Sequence, residues 1–206
     1  MLNDRELAVA HAAKGFMPES EGMALHRAGY AAGTVGPLLE IGSYCGKSAV
    51  YLGSAARAAG TVLFTVDHHH GSEENQTGWE HHDPDVVDPR TGRMDTLPFL
   101  RRTIEDAQLE DVVIAVVGDS PTVGRHWRTP VGLLFIDGGH ALDVAMSDYA
   151  TWSGFVAPGG VLAIHDVFED PVDGGQAPFL VWQRAVADGL TPESTTGGLR
   201  LLRRPS

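Results

Sequence analysis

Apolar residues along this chain follow two rhythms. The runs Thr61–Val66, Val112–Val117, Val131–Ile136 and Val161–Ile164 are almost unbroken, and longer stretches between them repeat their apolar positions at helical spacing. Short continuous apolar runs read as strands buried on both faces, and strands alternating with helices read as parallel units of an α/β sheet. Two helices come first, about Asp4–Lys14 and Ser20–Ala32, with Gly15 as a stop and Ser20 as an N-cap. Further helices are expected from the glycine turn to about Ala59 with Gly60 as stop, over Leu97–Gln108, through Asp143, Asp148 and Trp152, and over Gln176–Ala187. Pro158-Gly159-Gly160 turns into Val161–Ile164, and Glu193–Arg203 around Gly197-Gly198 reads as a closing hairpin. The expected fold is α/β and doubly wound.

The stretch Leu38-Leu39-Glu40-Ile41-Gly42-Ser43-Tyr44-Cys45-Gly46-Lys47-Ser48 reads as a strand, a glycine turn and a helix N-terminus. That is where nucleotide-like ligands sit in open α/β sheets. A P-loop needs four residues between its first glycine and Gly-Lys-Ser, and here only Ser43, Tyr44 and Cys45 intervene. The pattern G-x-G-x-x-G fails too, because no glycine stands two residues after Gly42. A glutamate before G-x-x-x-G suits S-adenosylmethionine, whose ammonium needs an acceptor. A plain strand-to-helix turn with no ligand is the bland alternative. Gly42, Ser43 and Ser48 belong to this cofactor loop.

Composition narrows the partners. With 206 residues, 43% of them hydrophobic, the chain has enough for one sizeable core and is expected to be one domain, 1–206. A net charge of −12 and a pI near 5.1 argue against nucleic acid and against an anionic membrane face. No apolar run approaches the roughly 20 residues that span a bilayer, and the first residues lack a signal-peptide core. The single Cys45 excludes an intrachain disulfide and fits a reducing cytoplasm.

Residues 1–36 form a helical cap in this reading. Its link Phe16-Met17-Pro18-Glu19-Ser20-Glu21-Gly22 is either a hydrophobic staple and cap or a flap over the cofactor, with Met17 against its apolar parts and Glu21 near its ammonium. Residues 68–95 are one long irregular insertion holding His68-His69-His70 and Glu80-His81-His82-Asp83. Loops of that length are lids, binding loops or disordered. Adjacent histidines lack the fixed spacing of a structural zinc site, so a solvated or substrate-covering loop is expected before a metal site. Trp79 offers a face for a sugar ring.

Five acidic residues close strands on what should be one sheet edge: Glu40, Asp67, Asp119, Asp137 and Asp166. Asp67, after the second strand, suits the ribose hydroxyls. Asp119 or Ser120 reads equally as an adenine contact or as an ordinary cap and helix start. Asp137 and the pair His165-Asp166 fall on neighbouring strands, close enough to share a divalent cation. His140 sits three residues past Asp137, at the mouth of the same cleft.

The ordered set LLEIGSYCGKSAVYL, TVDHH, GDS, FIDGGHALDVAMSD and APGGVLAIHD, over Pro37 to Asp166, resembles class I S-adenosylmethionine-dependent methyltransferases. The branch is that of the macrocin-type sugar O-methyltransferases and cephalosporin-hydroxylase-like proteins. With GFMPESEG and the His-rich insertion, the likeness narrows to the mycobacterial 1-O-methyltransferases of methylmannose polysaccharide biosynthesis.

The resemblance implies a mostly parallel, seven-stranded Rossmann-like methyltransferase sheet with a C-terminal antiparallel hairpin. It implies an O-methyltransferase moving a methyl group to a sugar or oligosaccharide hydroxyl, the 1-OH of a methylated mannoside, and a homodimer. It places Asp137, His165 and Asp166 at a magnesium or manganese site and His140 as general base. Related sugar enzymes often have a carboxylate where His165 stands, which leaves its ligation open. A catechol or other vicinal diol would suit the same clamp. A dehydrogenase, an NTPase or a silent cofactor-binding regulator are the other classes.

Overall fold

The structure, a computed structural model, describes residues 2–76, 78, 79 and 82–206. Helices α1 (Asp4–Ala12) and α2 (Glu19–Ala32) precede the first strand. Alternation then runs through β1 (Leu38–Ile41), α3 (Lys47–Ala59), β2 (Leu63–Asp67), a short antiparallel ribbon of β3 (Val87–Asp88) and β4 (Arg93–Met94), and α4 (Leu97–Asp106). It continues with β5 (Val113–Val117), α5 (Ser120–His126), β6 (Val131–Ile136), α6 (Leu142–Trp152), β7 (Val156–Ile164) and α7 (Ala177–Ala187). The hairpin β8 (Thr191–Thr196) and β9 (Leu199–Arg203) closes the chain.

The large sheet has seven strands in the order β5-β2-β1-β6-β7-β9-β8. The first five are parallel, and β9 runs antiparallel to both β7 and β8. Strand order reverses at β1, whose neighbours are β2 and β6, so the crevice above β1 and β6 is the topological switch point.

Alternation along the strands divides the core. Leu38, Leu133, Phe135 and Ala163 face α1–α3, packing with Leu25, Tyr51 and Leu52. Leu39, Ile41, Leu134, Ile136 and Ile164 face α6 and α7, packing with Tyr149, Trp152 and Val181. Each fully buried leucine contributes roughly 1.5–3 kcal/mol, which holds the strand ends still enough to carry a site.

Boundaries differ from the expected ones in instructive places. Ser20 is not the N-cap of α2; Pro18 holds that position without a side-chain bond, and its fixed φ suits the helix entry. β7 begins at Val156, five residues before the expected start. An irregularity between Val131 and Leu133 lets Pro158-Gly159-Gly160 stay in the strand. Gly60 closes α3 as expected, with φ +73.

Candidate functional site

Gly42 leaves β1 at φ +94, and a Cβ there would lie 2.2 Å from the Asp137 carbonyl oxygen. Only glycine therefore lets the turns after β1 and β6 meet. This junction is the floor of a cleft of about 520 Å3, within the size range of small-molecule sites. One wall carries Lys14, Phe16, Met17, Ser43, Lys47 and Ser48. The other carries Asp137, His140, Asp166, Phe168 and Asp173, with Ser72 and Asn75 of the insertion alongside.

At the far wall, ligand atoms of Asp137, His140 and Asp166 all lie within 4.8 Å of one another. His140 Nε2 is 3.2 Å from Asp166 Oδ2. Asp166 adopts φ +53, an uncommon conformation for a residue with a Cβ, and so turns its carboxylate off the end of β7. Burial pushes its pKa up, but the His140 and His165 rings outweigh this and hold it well below the usual carboxylate range. The two carboxylates suit a small divalent cation, and the His140 ring stands beside them.

His165 does not join that group. Its ring is buried, with Nε2 2.7 Å from Glu21 Oε2 and Nδ1 3.0 Å from Asp137 Oδ1 and 3.3 Å from Asp166 Oδ2. Both nitrogens face carboxylate oxygens, and the residue also lines the cleft. Burial pulls the His165 pKa down; the Asp137 charge and bonds to Asp137, Asp166 and Glu21 prevail and raise it far above the ordinary imidazole value. His165, expected at the metal site, is a buried ring bridging three carboxylates, two of them the expected ligands Asp137 and Asp166.

Other expected residues divide between cleft and scaffold. Met17, Gly42, Ser43 and Ser48 line the cleft. Glu21, expected near the cofactor's ammonium, is held in the interior: beyond His165, its Oε1 accepts the Gly198 N–H at 2.9 Å. Glu40 lies wholly buried beneath the glycine turn, bonded to the Thr65 hydroxyl, and its Oε1 has no partner. Burial pushes its pKa up to about 8, against the Ser48 and Thr65 hydroxyls.

Asp67, expected at the ribose, holds the backbone of the glycine turn. Its Oδ2 accepts the N–H groups of Ser43 at 2.9 Å and Tyr44 at 3.0 Å, and its Oδ1 that of His69 at 2.7 Å. The turn's unpaired amides claim the nearest carboxylate. Asp119 and Ser120 resolve toward the cap reading. Asp119 accepts the Thr122 N–H at 3.1 Å, and the Thr122 hydroxyl bond holds its carboxyl below the usual range. The Ser120 hydroxyl donates to Asp148 Oδ1 and accepts from Trp152 Nε1 at 2.8 Å.

In the insertion, His69 is buried against the Thr96 hydroxyl, the His68 and His70 rings are stacked, and Trp79 is exposed. Glu80 and His81 lie outside the described residues. Among the described residues, a group of ligands suited to a metal occurs only at Asp137, His140 and Asp166. Sequence reasoning missed Lys14, which bonds Asp83 at 2.6 Å and Asp85 at 2.9 Å, and also Phe168 and Asp173. Lys14 stands beside the Gly15-Phe16 link, the one available signal. Nothing in the local pattern marks Phe168 or Asp173.

Solved structures share this architecture. An O-methyltransferase from Bacillus cereus in complex with SAH is 18% identical, at TM-score 0.65, covering 97% of this chain and 89% of that one. The O-methyltransferase TomG from Streptomyces achromogenes, involved in tomaymycin synthesis and in complex with SAM, is 17% identical. Its TM-score is 0.66, over 99% of this chain and 91% of that one. Among the described residues no helix is long and apolar enough to cross a membrane. Residues 39–167, which run from β1 through both ends of the acidic wall, match the family described as a methyltransferase domain, and the chain belongs to that family.

Proposed function

We propose that the chain is an S-adenosylmethionine-dependent O-methyltransferase acting on a sugar hydroxyl with a divalent cation at Asp137 and Asp166. The observation that carries this reading is the convergence of Asp137, His140 and Asp166 across one cleft from the Gly42–Ser48 turn. Solved O-methyltransferases of the same fold bind SAM or SAH, which supports the cofactor.

Bound S-adenosylmethionine would supply an electrophilic methyl group, held against Gly42, Ser43, Ser48 and Met17. A bound magnesium or manganese ion would supply positive charge that polarises an acceptor hydroxyl beside Asp137 and Asp166.

The chain's own residues do the rest. A sugar hydroxyl has a pKa near ~16, close to that of water, and attacks poorly until its proton is removed. His140 stands at the mouth of the acidic wall and takes that proton at a ring nitrogen. Asp166 Oδ2, 3.2 Å from His140 Nε2, orients the ring. Phe168 and Pro178 give the acceptor an apolar wall, and Asp173 gives it a hydroxyl acceptor. These features suit a neutral polyol such as the 1-OH of a methylated mannoside.

Calorimetric titration with S-adenosylhomocysteine tests the cofactor, with binding expected and binding of NAD or ATP in its place overturning it. Incubation with S-adenosylmethionine and methylated mannosides, read by mass, tests the acceptor. Turnover of catechol alone would move the acceptor class.

A further inference from the structure

Glu21 and His165 are 144 positions apart, yet their side chains meet at 2.7 Å in the interior. Glu21 stands in the first turn of α2, outside the strands that carry the acidic wall. Its second oxygen accepts the Gly198 N–H at the hairpin turn, and a Cβ on Gly197 would come within 2.1 Å of that oxygen. The carboxylate is thus held from two sides and cannot turn away from the ring.

The geometry has a consequence for His165. An imidazole beside two carboxylates has two similar ring orientations, with either nitrogen facing them. An acceptor fixed at Nε2 removes that choice and keeps Nδ1 on the side of Asp137 and Asp166. We propose that Glu21 is a positioning residue for the acceptor site, acting through His165 to hold the Asp137 and Asp166 carboxylates at their working separation. This rests on the reading of that wall as a cation site in a methyltransferase. Partners of this kind, one bond removed from the ligands, commonly set metal affinity. Here the partner is supplied by the N-terminal helices and the hairpin, so both ends of the chain secure the centre.

The test compares the full-length wild type with Glu21→Ala and the near-isosteric Glu21→Gln. Side-chain 15N spectra of His165 and calorimetry with Mn2+ alone and with S-adenosylhomocysteine supply the readouts. In wild type the His165 ring should give a single set of 15N signals, with its Nε2–H slow to exchange. In Glu21→Ala the Nε2–H signal should be lost and Mn2+ affinity should fall by ~10–100-fold, with S-adenosylhomocysteine affinity unchanged. Glu21→Gln should recover part of both, since its amide oxygen still accepts from Nε2.

An unchanged His165 spectrum with unchanged Mn2+ affinity in Glu21→Ala would overturn the proposal. So would a loss confined to S-adenosylhomocysteine affinity, which would return Glu21 to the cofactor. If Glu21→Ala does not fold, Gly197→Ala displaces the same carboxylate and is held to the same criteria. Should wild type bind no S-adenosylhomocysteine, the proposed function fails, and the His165 spectra still decide the role of Glu21.

Discussion

His140 Nε2 lies 3.2 Å from Asp166 Oδ2, joining the helix entry after β6 to the end of β7 across the mouth of the cleft. His140→Ala should therefore lose ~10²–10⁴-fold in turnover, the range for removing a general base. Its affinity for S-adenosylhomocysteine should be intact, because the cofactor is proposed to rest on Gly42, Ser43, Ser48 and Met17. Full activity of this variant would assign proton removal to another group.

Chelation addresses the acidic wall directly. EDTA should abolish methyl transfer, and magnesium or manganese should restore it. Asp137→Ala should be inactive while still binding S-adenosylhomocysteine. Activity surviving in EDTA, with no metal found by elemental analysis, would leave His140 acting without a cation.

Asp67 makes a different prediction here than a ribose contact would. Its carboxylate accepts three backbone N–H groups at 2.7–3.0 Å, two of them in the glycine turn. Asp67→Ala should lower stability by about 1–3 kcal/mol through the amides left unpaired, read as a lower denaturant midpoint. An unchanged midpoint with weakened cofactor affinity would restore the ribose role.

Glu40 sets a pH dependence of stability. Its ordinary pKa of 4.5 is pushed by burial up to about 8, so between those values the folded chain holds a proton that the unfolded chain releases. Stability should therefore fall as pH rises through that window. Glu40→Gln mimics the protonated form and should flatten this decline. Equal slopes for wild type and variant in urea titrations from pH 5 to 8 would refute a buried neutral Glu40.

Much of this molecule could be read from local pattern. The apolar runs and the glycines between them place β1, β2, β5 and β6 almost to the residue. β6 is continuously apolar because both its faces are buried, whereas β5, expected to be buried likewise, lies at the sheet edge with Ile114 and Val117 exposed. The acids at the strand ends follow from the same logic, since parallel strands joined by helices bring those ends to one edge. Asp137, His140 and Asp166 were legible for that reason, and they do converge.

What the pattern could not decide was which way each polar side chain turns. Glu40, Asp67, Asp119 and Ser120 all fall near the ligand edge by register, yet Asp67 and Ser120 bond half-buried groups of the fold and Asp119 caps α5 at the surface. Glu40 is buried with one oxygen on Thr65 and the other without a partner. Buried amides and hydroxyls need partners, and the nearest carboxylate meets that need whatever its place in a motif.

The sequence by itself determined the α/β order, the glycine turn at Gly42 and the identity of the acids on the edge, because these depend on periodicity and on residues near in the chain. Only the tertiary structure decided the strand order that makes this turn the switch point, and only it brought Glu21 onto His165. A contact across 144 positions, closed by the Gly198 amide, exists only once α2, β7 and the hairpin have packed together.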